Sequence, residues 1–245
     1  MSVMTDDKTV LHPRLQLAAV WSGLVFLGLY AIAFIAVARF VPPPSPGLSS
    51  TEVAALFDDH RLQIRLGMVL ALIFSTLLFP FFAVISQHIA RIERGHPLLA
   101  TIQFGGATLL IVFFQLCSMI WITATFRSEL DPAVIRMLND LGWLSFVMVF
   151  PAYVFQLSCI AIAAFIDRSA DPVWPRWAGY LNLWVATMGT GGGIAVFFKS
   201  GPFAWNGLFG FYVPIIAFLG WILAMTWLMH SHVIRHTVDR EQAPA

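Results

Sequence analysis

The sequence predicts an all-α integral membrane protein, a bundle of six transmembrane helices that occupies residues 1–245 as a single polytopic domain. Two observations support this fold class. Of the 245 residues, 59% are hydrophobic and only 11% are charged, whereas soluble domains average about 25% charged residues. Six apolar runs each approach the roughly 20 residues that a helix needs to cross a hydrocarbon core. Because lipid offers no partners for backbone polar groups, each run is expected to be helical.

The six predicted membrane segments follow one another with short polar connections. In chain order they are approximately Leu17–Val41, Leu66–Ile89, Ile102–Phe126, Trp143–Ile166, Trp177–Phe198 and Leu208–Met229. Polar tails are expected at residues 1–16 and 231–245. Pro80, Pro151 and Pro214 lie inside the second, fourth and sixth segments. Since proline removes a backbone donor and clashes with the preceding turn, each of these segments is expected to kink.

Short amphipathic helices are predicted before the second and fourth membrane segments. The stretch Ser50–Asp59 begins with a Ser/Thr cap, and Asp131–Asp140 begins with an Asp cap followed by proline at the first helical position. Both stretches carry apolar residues three or four apart and end in an acidic pair or Asn-Asp. Their likeness suggests a repeated hairpin, with a chance match of two ten-residue stretches as the alternative.

The distribution of basic residues indicates an orientation in the membrane. With the N-terminus inside, the inner segments hold eight Lys and Arg residues and the outer segments hold six. The positive-inside rule therefore favours a plasma (inner) membrane protein with both termini in the cytoplasm, by a narrow margin.

Amides are the notable polar groups within the predicted spans, because no Asp, Glu, Lys or Arg falls in the middle of any span. Counted from the inner helix ends, Gln115 and Gln156 come out at similar depth, where they could pair. One interpretation is an interhelical hydrogen bond that fixes packing. The other is that these amides, with Tyr153 and Asn182, form the polar lining of a small ligand cavity.

The stretch GTGGGIAVFFKSGPFAWNG, which begins at Gly189, nearly matches two nucleotide-binding patterns. The dinucleotide fingerprint fails at Ile194 and the Walker pattern fails at Phe198, where each requires glycine. The remaining signal is the spacing of Gly189 and Gly193, which lets two membrane helices approach closely. Unwinding of the helix at the three successive glycines, beside a ligand, is the alternative interpretation.

Histidines provide the only pattern with metal chemistry. Four of them cluster near the inner ends of the second and last segments: His88, His230, His232 and His236. Such a group would suit haem or a transition metal. However, the chain has a single HxxxH spacing, and interfacial histidines are usually hydrated polar groups. No cofactor is therefore predicted, and haem or metal binding is kept as an alternative.

The sequence leaves open whether the protein is an enzyme. No GxSxG or HExxH motif is present, and the net charge of +1 gives no indication of a nucleic-acid partner. The favoured prediction is a non-enzymatic protein of the lipid bilayer that binds a lipophilic small molecule or serves as an accessory subunit of a membrane protein partner. An integral-membrane enzyme acting on a hydrophobic substrate and a haem-binding electron carrier are the alternatives. Homo-oligomer formation is compatible with all three.

Overall fold

The computed structural model describes the backbone of residues 13–242 and the side chains of residues 13–235. Within that backbone range the chain is helical and contains no strand. The α-helices are α1 (Pro13–Ala31), α2 (Ser50–Asp59), α3 (Arg61–Ser75), α4 (Leu78–Glu93), α5 (Leu98–Phe126), α6 (Pro132–Val147), α7 (Phe150–Ile166), α8 (Arg176–Gly189) and α9 (Val213–Gln242). Ile32–Val37 and Leu208–Tyr212 form π-helical turns, and Thr190–Phe197 forms a 3-10 helix.

Five helical stretches are long and apolar enough to cross a membrane. They are Pro13–Val37, Arg61–Glu93, Leu98–Phe126, Pro132–Ile166 and Leu208–Arg235. Each overlaps one of the predicted segments, so the fold fits an integral membrane protein. The predicted segment Trp177–Phe198 is not among the five, because it divides into α8 and the 3-10 helix. The helix α9 continues through part of the predicted C-terminal tail, whereas residues 1–12 of the N-terminal tail lie outside the described chain.

At each of the three prolines where a kink was predicted, regular α-helical geometry is interrupted about four residues earlier. The break between α3 and α4 includes Thr76, α6 ends at Val147, and Gly210 lies in a π-helical turn. Proline excludes the carbonyl of the residue four positions earlier from the helical hydrogen-bond ladder, which accounts for all three positions. The predicted boundary between the short helix Asp131–Asp140 and the fourth membrane segment, Trp143–Ile166, is wrong. The helix α6 continues without a break through residues 140–143, and the chain turns into α7 only after Val147.

Side-chain caps set the starts of three helices. Ser49, one residue before the predicted cap, forms a capping box with Glu52 at the start of α2. The Asp131 carboxylate accepts a hydrogen bond from the backbone N–H of Ala133 at the start of α6. At the start of α5, the Glu93 carboxylate accepts hydrogen bonds from the N–H groups of residues 99 and 100. These caps satisfy backbone donors that would otherwise lack partners.

The connections of the bundle gather at its two ends. At one end, here called the proline-rich face (residues 38–49, 127–131 and 198–207), the Trp205 indole donates to the carbonyl of Pro44 at 2.9 Å. At the same end, Arg61 and Arg65 of α3 both donate to the carbonyl of Thr125, in the last turn of α5. The opposite end, here called the histidine face, is formed by residues 94–97 and 167–175 with the adjoining ends of α4 and α9.

Candidate functional site

An aromatic stripe that runs from α1 into the following π-helical turn forms the first wall of the candidate site. Phe26, Tyr30 and Phe34 are spaced four residues apart, so they lie on one face of the helix, and all three are buried. The Tyr30 ring lies 5.1 Å from the Phe26 ring, 5.7 Å from the Phe34 ring and 5.4 Å from the ring of Phe114 on α5. These centroid separations are those of favourable aromatic pairs.

A cavity of about 170 Å³ lies between this stripe and the helices α5, α6 and α9. Its walls are almost wholly apolar, and its other aromatic lining residues are Phe114, Phe146, Phe211, Tyr212 and Phe218. Two of its lining residues, Ile35 in the π-helical turn that continues α1 and Leu219 of α9, are exposed on the outer surface of the bundle, which puts the mouth of the cavity between these two elements. The cavity therefore opens sideways, toward the surface that lipid would cover.

A smaller cavity of about 70 Å³ adjoins the first one and extends toward α7 and α8. The two share the side chains of Phe114, Phe146 and Phe218 among their walls. Tyr153 of α7 and Gly189 of α8 line the far end of the smaller cavity. We call the two spaces together the aromatic cavity.

Two buried phenol groups line the aromatic cavity. Tyr30 is 9% exposed and Tyr153 is 7% exposed, and neither hydroxyl has a hydrogen-bond partner among the described residues. A buried hydroxyl without a partner costs about 1–3 kcal/mol relative to a bonded one. Both hydroxyls therefore have unused hydrogen-bonding capacity, on residues that line the cavity. Tyr153 is one of the residues that the sequence placed in a ligand cavity.

The predicted pairing of Gln115 with Gln156 is replaced by a different amide pair. Gln103 of α5 donates to the side-chain oxygen of Gln156 at 3.4 Å, and both side chains are fully buried. Gly106 determines which residues of α5 and α7 lie opposite each other, because its missing side chain lets the α7 backbone at Ala152 approach α5. Gln115 lies nine residues farther along α5 than Gly106, about 13 Å away, and is half-buried. Neither Gln115 nor Gln156 lines the aromatic cavity.

The amide of Asn182 links α8 to α9. Its side-chain oxygen accepts a hydrogen bond from the Trp221 indole at 2.8 Å, and its nitrogen donates to the carbonyl of Ala178 at 2.8 Å. Asn182 is fully buried and lies outside the walls of the aromatic cavity. In this structure its hydrogen-bonding groups are engaged within the protein.

The glycine-rich stretch packs against two helices of the bundle, α6 and α7. A side chain at Gly189 would collide with the Tyr153 ring, and one at Gly193 would collide with the Phe150 ring, so both glycines face α7. Between them, Gly192 lies against the carbonyl of Val147 that Pro151 frees from its helix. Gly189 is the last residue of α8, whereas Gly193 lies in the 3-10 helix that follows it, so the two glycines contact α7 from two different kinds of helix.

Of the histidines that the sequence grouped, His88 and His232 contact each other, whereas His230 contacts α1. His230 accepts a hydrogen bond from the Trp21 indole of α1 at 3.3 Å. His232 lies 3.9 Å from the carboxylate of Asp171 and edge-on to the ring of His88, at 5.7 Å between centroids. Among the described side chains, no three His, Cys, Asp or Glu residues are grouped so that they could hold a metal. The side chain of His236 lies outside the described part.

Sequence reasoning missed most of the aromatic cavity. The signal was present in the four-residue spacing of Phe26, Tyr30 and Phe34, and again in Phe211, Ile215 and Phe218, which are four and three residues apart along the last predicted membrane segment. In an apolar span, however, such spacing is indistinguishable from lipid-facing residues until the neighbouring helices are placed. Comparison with family models, curated proteins and solved structures found no match to this chain.

Proposed function

We propose that this protein is a non-enzymatic membrane protein that binds a lipophilic small molecule by seating one ring of it in the aromatic cavity. The observation that carries the proposal is the main chamber of about 170 Å³, which is apolar, walled by aromatic rings and lined by Tyr30, whose buried hydroxyl has no hydrogen-bond partner among the described residues. An apolar protein cavity of about 150 Å³ stays dry and binds benzene. A chamber of this size therefore suits a single planar ring.

The geometry also indicates the chemistry of the ligand. The chamber is walled by aromatic rings, which favour offset or edge-on contacts with another ring. The phenols of Tyr30 and Tyr153 offer hydrogen-bond donors that a carbonyl or ether oxygen on that ring would satisfy. Because the mouth faces the outer surface between α1 and α9, the ligand enters from the bilayer and its remaining part stays in lipid.

In this proposal the bundle crosses the membrane six times. The crossing added to the five long helical stretches is α8 with the following 3-10 helix, the fifth in chain order. Together they rise about 37 Å, enough for a hydrocarbon core about 30 Å thick. Six crossings place both termini on the same side of the membrane. The charge distribution favours the cytoplasmic side of the inner membrane.

The test uses the full chain in lipid nanodiscs and a fluorinated ring, 4-fluoroacetophenone, observed by fluorine NMR. Ala31→Phe fills the cavity wall on α1, whereas Ala18→Phe places the same side chain on an exposed position of α1 away from the cavity. We expect saturable binding to the wild-type protein and to Ala18→Phe, and at least tenfold weaker binding to Ala31→Phe. Equal binding to both variants, or only non-saturable partition into lipid, would contradict the proposal.

A further inference from the structure

A second cavity lies on the histidine face, separate from the aromatic cavity. It has a volume of about 370 Å³ and is bounded by the ends of α4 and α7 and by the 167–173 connection. Its polar lining includes Arg91, Arg94 and Arg168, together with His88 and His232. Arginine is the side chain whose planar fork matches the oxygens of phosphate groups.

The carboxylates in this cavity leave a surplus of positive charge. Asp171 faces Arg235 of α9 at 3.4 Å, and Asp167 accepts a hydrogen bond from the backbone N–H of Ser169 at 2.9 Å. Arg94 and Arg168 form no ion pair with any described residue. Two guanidinium groups from two different connections therefore border the same space without a counter-charge assigned to them.

Local structure fixes the backbone from which these arginines extend. The chain leaves α4 through a left-handed turn at Arg94, directly after Glu93 caps the start of α5. The other connection is anchored by Trp174, which is 1% exposed and packs edge-on to the ring of His88. The arginines thus extend from anchored connections, which lowers the entropy lost when they bind a ligand.

The apolar part of the lining indicates where the cavity lies relative to lipid. Ile92 and Ile166 belong to its walls, and Ile166, the last residue of α7, is 49% exposed. The cavity therefore combines an apolar edge at the ends of two membrane helices with a basic interior. Basic pockets between membrane helices at this level bind the head groups of anionic lipids.

We propose that the arginine-lined cavity binds a phosphate-bearing anion through Arg94 and Arg168. The phosphate has two possible sources, the head group of an anionic phospholipid and a free phosphate compound. This proposal is independent of the aromatic cavity, because the two sites share no lining residue.

The test compares Arg94→Gln/Arg168→Gln with the wild-type protein and with Arg176→Gln. Arg176 is an exposed arginine at the start of α8 that does not line the cavity, so it is the matched control for loss of charge. In one arm, native mass spectrometry measures phosphatidylglycerol retained by the full chain released from mixed phosphatidylglycerol and phosphatidylcholine nanodiscs. In the other arm, thermal unfolding in detergent is measured with increasing sodium phosphate, against sodium chloride at equal ionic strength.

We expect the double variant to bind the anion about 30-fold more weakly, since each arginine near a membrane surface contributes roughly fivefold. Loss of phosphatidylglycerol retention identifies the lipid as the source, and loss of phosphate-specific stabilisation identifies a free phosphate compound. If the double variant matches Arg176→Gln in both arms, or if the wild-type protein shows neither effect, the proposal is overturned. A wild-type thermal transition in the double variant at zero phosphate confirms that it is folded.

Discussion

Replacing Tyr30 with phenylalanine tests whether the phenol in the aromatic cavity serves a ligand. The change removes one oxygen and leaves the ring, whose neighbours Phe26, Phe34 and Phe114 all lie within 6 Å between centroids. In the free protein that oxygen is buried without a partner among the described residues. Its removal therefore relieves a desolvation cost of about 1–3 kcal/mol, offset in part by lost contacts of the oxygen. We expect Tyr30→Phe to be as stable as the wild type or up to about 1 kcal/mol more stable.

Ligand binding should respond in the opposite direction. A neutral hydrogen bond contributes about 0.5–1.5 kcal/mol net, which corresponds to about a 2- to 12-fold change in Kd. We expect Tyr30→Phe to weaken binding of 4-fluoroacetophenone by that factor, because the carbonyl of this probe accepts a hydrogen bond. Fluorobenzene, which has no carbonyl, should bind the variant and the wild type equally.

The two measurements are unfolding by titration with sodium dodecyl sulfate and fluorine NMR titration in nanodiscs. The same comparison at Tyr153, which lines the smaller chamber, shows which of the two phenols meets the carbonyl. The reasoning is refuted if Tyr30→Phe lowers stability by more than about 1 kcal/mol, since the hydroxyl would then have a partner in the protein. It is equally refuted if both phenol variants bind the two probes with wild-type affinity.

Three further predictions concern the parts of the fold that hold this site. Gly192→Ala should lower the free energy of unfolding by about 1–3 kcal/mol, because the added methyl group collides with the backbone carbonyl of Val147. The control Gly105→Ala, whose methyl group meets nothing within 4 Å, should raise the free energy of unfolding by up to about 1 kcal/mol. Equal effects of the two variants on unfolding in detergent would contradict the close approach of Gly192 to Val147. A double-mutant cycle between Asn182→Ala and Trp221→Phe should give a coupling of about 0.6–1.7 kcal/mol, and a coupling of zero would exclude their hydrogen bond as a link between α8 and α9. Hydrogen bonds from the side chain and backbone of the cap residue Ser49 lower the pKa of Glu52 below its ordinary value of 4.5. The stabilisation of α2 by this carboxylate is therefore complete above pH 4.5 and disappears as the pH falls through the lower folded-state pKa. Amide protection factors in the first turn of α2 should fall over that pH range in the wild type and stay level in Glu52→Gln.

Several features of the bundle could be predicted because they depend on local chemistry. Proline acts on the carbonyl four residues before it, so Pro80, Pro151 and Pro214 mark kinks in any helical arrangement. The cap of α6 at Asp131 is equally local, because the carboxylate satisfies a backbone donor two residues away. The partner of Gln156 could not be predicted, since it depends on where Gly106 lets another helix approach. Depth counted along separate helices does not contain that information.

The sequence by itself determined that the chain is helical and apolar enough for a membrane, and that its spans contain prolines, amides and aromatic rings in place of charges. These properties follow from transfer free energy and from backbone hydrogen bonding within each segment. Only the tertiary structure decided which rings face inward, that Tyr30 and Tyr153 border adjoining chambers, and that Arg94 and Arg168 border a common cavity. Apolar side chains have nearly the same free energy against lipid as against protein, so shape complementarity between helices, and not hydrophobicity, selects their neighbours.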